Sequence, residues 1–376
     1  MRILHVTTFL QGGAGRMITA LAVAQKQAGH DVRLVADAGG ELGYATYPEY
    51  TEALVAAGID VILVNSTFKR DPDLNRRAAD EVRRLATTWA PDIVHAHAAT
   101  PAVVARLSGI CAGTPHTPLI QTMHGWGTSK THAQVAQDLD ALERADQVTM
   151  PSRSARDWLR SIGLRRREVR VIAYGLPDID THAVPDAADA RIIQSRRARV
   201  ALCIGTICAR KNQQLLVDLL ATTLLRDAVG VFIGDGDEEM IRKRALARGV
   251  ANRVIVLGRR PLASRYFGLA DVLVLPSRNE GLPIAALEAL RAGVPIVGSN
   301  IPEIAEAVGP DLSTFLSPPD DHVRFARAMR MAFDLADKSA LAARLRARFA
   351  RLYRHSRMVD DYEALYHRET RIASPV

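Results

Sequence analysis

The chain has 376 residues, enough for two domains of ordinary size, with 48% hydrophobic, 24% charged and 5% aromatic residues. No apolar run approaches the roughly 18 residues that span a bilayer, and Cys111, Cys203 and Cys208 lack the Cys-x-x-Cys spacing of a zinc or redox site. The net charge of +8 suits an anionic substrate or an anionic membrane surface; nucleic acid is set aside, because aromatic residues do not interleave with the basic ones.

In chain order, 3–7 is a buried strand with a rather short, strand-like start for a signal peptide, so the expected location is cytoplasmic. Gln11-Gly-Gly-Ala-Gly15 follows, then a helix over 16–28 and a strand over 32–35. This is a βαβ unit that opens on a glycine-rich loop. Met17 and Ile18 stand where a dinucleotide fingerprint would have its third glycine. Segments 50–57 and 73–89 read as helices and 61–64 as a strand. His95 and His97 lie two apart on strand 91–97, hence on one face. They make a possible metal pair with no third ligand evident nearby, so packing or pocket lining is the favoured reading. Strand 119–123 runs into His124-Gly-Trp-Gly127, which places His124 on a strand edge. Helix 131–145, strand 147–150, a Ser152 N-cap and helix 153–162 come next. Arg153, Arg156, Arg160, Arg165, Arg166, Arg167 and Arg170 then make a basic segment, either a solvated face or a contact with anionic lipid.

The regular pattern lapses over 178–199, taken as a linker with one short helix. It divides an N-terminal domain, 1–177, from a C-terminal domain, 200–355; a last helix over 356–376 is expected to pack back towards the N-terminal domain. A second strand–helix series then runs through 200–204, 229–233 and 254–257. The loop 205–212 carries Arg210 and Lys211, and Gly234-Asp-Gly236 and Gly258-Arg-Arg260 close the next two strands. Segment 262–270 reads as a helix, and 314–316 as a strand. Between them, strand 270–276 enters Ser277-Arg-Asn-Glu-Gly-Leu-Pro283 and a helix that carries Glu288. Pro283 fits the first helical turn, where its missing N–H costs nothing. Loop amides and a helix N-terminus at the carboxyl edge of a parallel sheet suit an anion, and the two carboxylates suit sugar hydroxyls. Two regular series of this kind imply an α/β protein with two doubly wound, Rossmann-like parallel sheets and a cleft between them.

Glu280-Gly-Leu-Pro283, Glu288 and Ala292-Gly-Val-Pro295 resemble the signature of the retaining GT-B glycosyltransferases of family 4, the glycogen-synthase-like group 1, of bacterial envelope-glycan type. Gly12-Gly13, Asp92-Ile-Val-His-Ala-His97, Thr122-Met-His-Gly125, Lys211-Asn212 and Gly234-Asp-Gly236 stand in the same order, so the resemblance runs almost end to end. It implies a hexosyl transfer from a UDP- or GDP-linked sugar, held mainly by the C-terminal domain, to a lipid-linked or cell-envelope glycan acceptor, without cofactor or metal. The basic segment Arg153–Arg170 and the +8 charge, rather than the resemblance, motivate a peripheral place on the inner face of the plasma membrane.

By the same resemblance, His124, Glu280 and Lys211 are catalytic. Glu280 meets the sugar hydroxyls, Gly281 and Leu282 the sugar or phosphate beside Pro283, and Glu288 the ribose. Lys211 neutralises the diphosphate, and Gly12 and Gly13 close on it. Gly205, Gly234, Gly258 and Arg259 complete the donor set. The family usually has arginine after the glycine that matches Gly205, whereas Thr206 stands here, with Arg210 as the candidate replacement. The alternative is a non-catalytic or weakly active sugar-nucleotide-binding protein of the same architecture.

Overall fold

The computed structural model describes residues 1–40, 44–65, 67–113, 116–127, 130–177 and 184–373. They divide into two compact units, Met1–Gly175 with the chain from Ser356 onward, and Leu176–His355. Residues 178–183 of the expected linker lie outside the described residues, and the rest of it holds the helix Ala187–Ser195, whose first amides are capped by the Asp186 carboxylate.

The first unit is built on seven strands: β1 (Arg2–Thr7), β2 (Asp31–Asp37), β3 (Asp60–Val64), β4 (Ile93–His97), β5 (Leu119–Thr122), β6 (Gln147–Met150) and β7 (Arg170–Val171). All pair in parallel, in the order β3-β2-β1-β4-β5-β6-β7. Helices cover both faces of such a sheet, so its central strands are apolar throughout rather than alternating. In β1 only Arg2 is exposed, and β4 and β5 are buried along their whole length. The strand order reverses between β1 and β4, the switch point where open α/β sheets bind their ligands. The helix Gly12–Gln27 leaves β1 so closely that a Cβ on Gly15 would stand 2.5 Å from the Leu10 carbonyl carbon. Only glycine permits that approach. The last helix, His355–Ala373, adds Met358, Tyr362, Leu365 and Tyr366 to the core of this unit.

The second unit contains β8 (Arg199–Ile204), β9 (Ala228–Ile233), β10 (Val254–Gly258), β11 (Val272–Leu275), β12 (Ile296–Ser299) and β13 (Leu316–Ser317). These too are all parallel, in the order β10-β9-β8-β11-β12-β13, with the reversal between β8 and β11. The helix Ile284–Ala292 follows β11 and ends on Gly293 in the left-handed region, the usual glycine stop.

Several expected elements differ. Pro283 is the residue capping the helix rather than a member of its first turn, so the helix begins one position later. The segment 262–270 is a 3-10 helix, Ala263–Leu269, entered through Leu262 at φ +55°. The strand expected at 314–316 is β13, two residues further on. The Ala- and Arg-rich stretch after residue 337, for which the sequence pattern names no element, is one continuous helix, Lys338–Leu352, capped by Asp337.

Candidate active site

In the second unit, β8, β9 and β10 deliver their carboxyl ends to three glycines: Gly205, Gly234 and Gly258. Gly205 N donates to Ile233 O, and Gly234 N donates to Gly258 O. Their backbones pass so closely that a Cβ on Gly234 would lie 2.1 Å from Gly205 O, and one on Gly236 2.4 Å from Ile207 O. The Gln213 side-chain amide donates to the carbonyls of Gly205 and Thr206, which fixes the start of the 205–212 loop. Its far end is held by Arg278, which donates to Ala209 O and pairs with Asp320; Asp320 also accepts from Asn212.

This loop brings two cations to one carboxylate. Lys211 Nζ lies 2.6 Å from Glu280 Oε1. Arg210 donates to Asn279 O at 2.8 Å and stands 3.5 Å from Glu280 Oε2. Lys211 also passes over Gly205, where a Cβ would be 3.9 Å from its Nζ. Burial of Glu280 opposes its ionised form, but the charges of Lys211 and Arg210 and hydrogen bonds from Lys211 and Ser277 outweigh it, holding the carboxyl below its usual range. Two cations against one carboxylate leave an excess positive charge, which suits a diphosphate. Glu288 is buried one helical turn inside Ile284–Ala292. Glu280, Lys211, Arg210 and Gly205 therefore converge, with Gly234 and Gly258 on the adjoining strand ends. The Thr206 carbonyl accepts from Gln213, and Arg210 is the second cation beside Glu280. Of the arginines after β10, Arg259 is exposed, whereas Arg260 is held by Asp189 and does not belong to the site.

The remaining expected residues, Gly12, Gly13 and His124, belong to the first unit. Gly12 and Gly13 open its first helix; Gly12 has φ +53°, and its carbonyl accepts from Tyr50 at 3.1 Å. His124 follows β5. Its Nε2 lies 3.0 Å from His97 Nδ1, and its Nδ1 lies 2.7 Å from the Tyr174 hydroxyl. His97 Nε2 is in turn 2.9 Å from His5 Nδ1, and His5 Nε2 is 2.8 Å from Gln25 Oε1. His95 is held separately by Tyr366 and Thr122. Burial pushes His5 and His124 down to about 4, and His95 and His97 also well below the ordinary histidine range.

The pair His95 and His97 does have a third neighbour, contrary to the sequence reading: the parallel register sets His5 opposite His95. The ligand atoms of His5, His95 and His97 all lie within 4.8 Å of one another. Their ring nitrogens are engaged in hydrogen bonds, which a metal would have to break. Sequence reasoning also missed Gln25, Tyr174, Gln213, Arg278 and Asp320. For His5 the signal was a polar residue inside an apolar strand; the others carry none.

In the basic segment, Arg166 donates to the carbonyls of Ala145, Asp146 and Glu168, and Arg160 donates to that of Arg167. Trp126 and Trp158 meet edge to face nearby, with the Lys130 ammonium 3.6 Å from the Trp126 ring centre. Among the described residues, no helix is long and apolar enough to cross a membrane. A cavity of about 710 Å³ opens at the other end of the β1 and β4 strands, between Arg2, Asp92 and His116, away from the Gly12–Gly13 turn of the same unit.

Two doubly wound parallel-sheet units, one ending in glycine loops beside paired cations, define a GT-B glycosyltransferase architecture. Residues 11–178 match the family model described as Glycosyltransferase Family 4, and residues 198–334 that described as Glycosyl transferases group 1; the chain thus carries both glycosyltransferase domains. It is 28% identical to glycogen synthase of Mycobacterium tuberculosis, over 96% of this chain and 91% of that protein. It is 23% identical to the UDP-Gal:alpha-D-GlcNAc-diphosphoundecaprenol alpha-1,3-galactosyltransferase of Escherichia coli, over 73% and 75%. The Anabaena HepE structure in complex with UDP and glucose superposes with a TM-score of 0.81 at 19% identity, covering 97% of this chain and 99% of that one.

Proposed function

We propose that this protein is a retaining hexosyltransferase that moves a sugar from a nucleoside-diphosphate donor to a lipid-linked or cell-envelope glycan hydroxyl. The observation that carries the reading is the convergence of Lys211, Arg210 and Glu280 beside Gly205. Lys211 and Arg210 take up the charge that develops on the departing diphosphate, a role in which preorganised donors are worth about 10²–10³ in rate. Glu280 accepts hydrogen bonds from the sugar hydroxyls, Glu288 from the ribose, and the amides of Gly281 and Leu282 beside Pro283 meet the sugar or phosphate. Gly12 and Gly13 supply backbone amides to the phosphate, and His124 stands by the reacting sugar. The anomeric carbon–oxygen bond breaks with its electron pair going to the diphosphate. The acceptor oxygen bonds to the same face of that carbon, and its proton passes to a phosphate oxygen. Because Glu280 is already paired with two cations, it acts as a sugar ligand rather than a covalent nucleophile, and charge neutralisation by Lys211 and Arg210 is compatible with catalysis without a metal.

UDP is the first base to test, since the Escherichia coli relative uses a UDP-sugar and the Anabaena structure holds UDP. The undecaprenol-linked acceptor of that relative supports a lipid-linked acceptor here. The test is a thermal-shift screen against UDP, GDP, ADP and their sugars, followed by transfer to a polyprenyl-diphosphate-linked sugar. A shift with one nucleoside diphosphate and turnover of its hexose supports the proposal. Binding without transfer or hydrolysis across the panel would favour the non-catalytic reading, for which the departure at Thr206 is the specific ground.

A further inference from the structure

His97 and His124, both singled out in the sequence, are joined to His5, Gln25 and Tyr174 in one hydrogen-bonded chain that lies entirely within the first unit; at its two ends the Tyr174 hydroxyl also lies 3.3 Å from the His124 carbonyl oxygen, and Gln25 also meets Tyr366. A neutral imidazole has one N–H and one bare nitrogen, so such a chain must run in a single sense. The Gln25 carbonyl oxygen can only accept, which makes His5 Nε2 the donor and His5 Nδ1 an acceptor. His97 Nε2 then donates to His5, and His97 Nδ1 accepts from His124 Nε2. That leaves His124 Nδ1 to accept from the Tyr174 hydroxyl. The sense propagates through every link, so the amide of Gln25 decides which nitrogen of His124 carries the proton. Adding a proton at His97 Nδ1 would set its N–H against that of His124 Nε2 at 3.0 Å.

Among the described residues, no acid is found to act on the chain of imidazoles. His95 stacks beside His97 with ring centres 4.0 Å apart and is bound to Tyr366 and Thr122. Tyr362 reaches Thr122 and Thr149. The nearby acids, Asp361 and Glu363, act on Tyr362 and Tyr366 rather than on the chain of imidazoles.

We propose that Gln25, His5, His97 and Tyr174 are positioning residues for His124, a relay that fixes it as the neutral Nε2–H tautomer with one ring orientation. With both ring nitrogens occupied from its own unit and its carbonyl met by the Tyr174 hydroxyl, His124 offers a substrate a fixed uncharged ring edge rather than a transferable proton. Only the last step, from relay to catalysis, rests on the transferase reading.

The test is the ring ¹⁵N spectrum of the full-length protein without donor, at pH 7.5 and 5.5, for wild type, Gln25→Met and Tyr174→Phe. The relay predicts that His5, His97 and His124 are all Nε2–H in wild type and unchanged between the two pH values. Gln25→Met, three links from His124 and close to isosteric, should convert His124 to mixed tautomers while thermal unfolding stays cooperative. Tyr174→Phe, which acts from the other end, serves if Gln25→Met fails to fold, and should loosen His124 in the same way. Titration of His124 between pH 5.5 and 7.5 in wild type would overturn the relay, as would one unchanged tautomer in both variants. Stoichiometric zinc uptake that removed the three ring signals would replace it with a metal site. The spectra are independent of turnover: mixed tautomers with unaltered transfer would support the relay and discard only a part for His124 in the reaction.

Discussion

Lys211 and Glu280 stand 69 positions apart in sequence and meet at 2.6 Å. The Glu280 side chain is only 6% exposed, so removing Lys211 leaves a buried carboxylate with Arg210 at 3.5 Å as its remaining ionic partner. Lys211→Ala should lower stability by about 1–3 kcal/mol, the cost of an incompletely satisfied buried charge. Transfer should fall by about 10²-fold or more. Glu280→Ala should abolish transfer while the fold survives. Urea unfolding and single-turnover transfer check both variants, and unchanged turnover in the pair would remove the donor-site assignment.

Arg210 is the measure of how far the chain has replaced the arginine missing at Thr206. Arg210→Ala should weaken UDP binding about tenfold, equivalent to about 1.4 kcal/mol. Adding Thr206→Arg to that variant should restore part of the loss. Calorimetric titration with UDP reads both changes; Arg210→Ala with wild-type affinity would show that Lys211 alone carries the phosphate charge.

The buried imidazoles set the acid side of the stability curve. His5 and His124 fold with values near 4 against an ordinary 6.5. Between those values the unfolded chain takes up protons that the folded one refuses. Stability therefore falls with falling pH, by up to about 1.4 kcal/mol per pH unit for each histidine. His95 and His97 push in the same direction. The stabilisation from ionised Glu280 is present above the ordinary carboxyl value and is lost as pH drops through its depressed one. Urea midpoints should fall steadily from pH 7 to pH 5; equal midpoints would contradict the neutral cluster.

Two glycines with positive φ separate backbone strain from crowding. Gly249, at φ +67°, has nothing within 4 Å of its would-be Cβ, whereas Gly234, at φ +155°, would strike Gly205 O at 2.1 Å. Gly249→Ala should cost about 1 kcal/mol through conformation alone. Gly234→Ala should cost about 2–4 kcal/mol and should also reduce the thermal shift given by UDP, because the Gly205 peptide has to move. Equal losses in the two variants would mean that the close approach at Gly234 is unimportant.

The basic segment makes a weaker claim on a membrane than its composition suggests, because Arg166 and Arg160 spend their guanidinium groups on backbone carbonyls. Flotation with vesicles containing anionic lipid should show binding at low salt that disappears at about 0.5 M, where screening shortens to a few ångströms. Triple replacement of Arg153, Arg156 and Arg165 by glutamine should reduce it. No flotation at low salt would end the proposal of a peripheral membrane site.

The parallel α/β class was legible because strands such as Ala228-Val-Gly-Val-Phe-Ile233 are buried on both faces and alternate with helices. Helix Lys338–Leu352 escaped notice because its buried stripe is narrow, Leu341, Leu345 and Phe349 at intervals of four, amid arginine and alanine. Ala263–Leu269 looked like an α-helix because apolar spacing does not distinguish it from a 3-10 turn of that length. In the second unit, Glu280, Lys211 and Gly205 could be picked out by resemblance to the family's motifs, but the clamp of Arg278 and Asp320 could not, since its contacts join residues 42 to 108 positions apart. His5 shows the same limit: its partners His95 and His97 are set by strand register, which no local pattern encodes.

The last helix gives the two units different timetables during synthesis. Leu176–His355 is an uninterrupted stretch, so the second unit has all its residues before the C-terminal helix has emerged from the ribosome. The first unit, although translated first, lacks Tyr362 and Tyr366 until the final twenty or so residues appear. Until then, Thr122, Thr149 and His95 lack the tyrosine hydroxyls they meet in the finished protein. A chain released at residue 355 would therefore hold every residue of the second unit, while the first unit's histidine core still lacked its tyrosine partners.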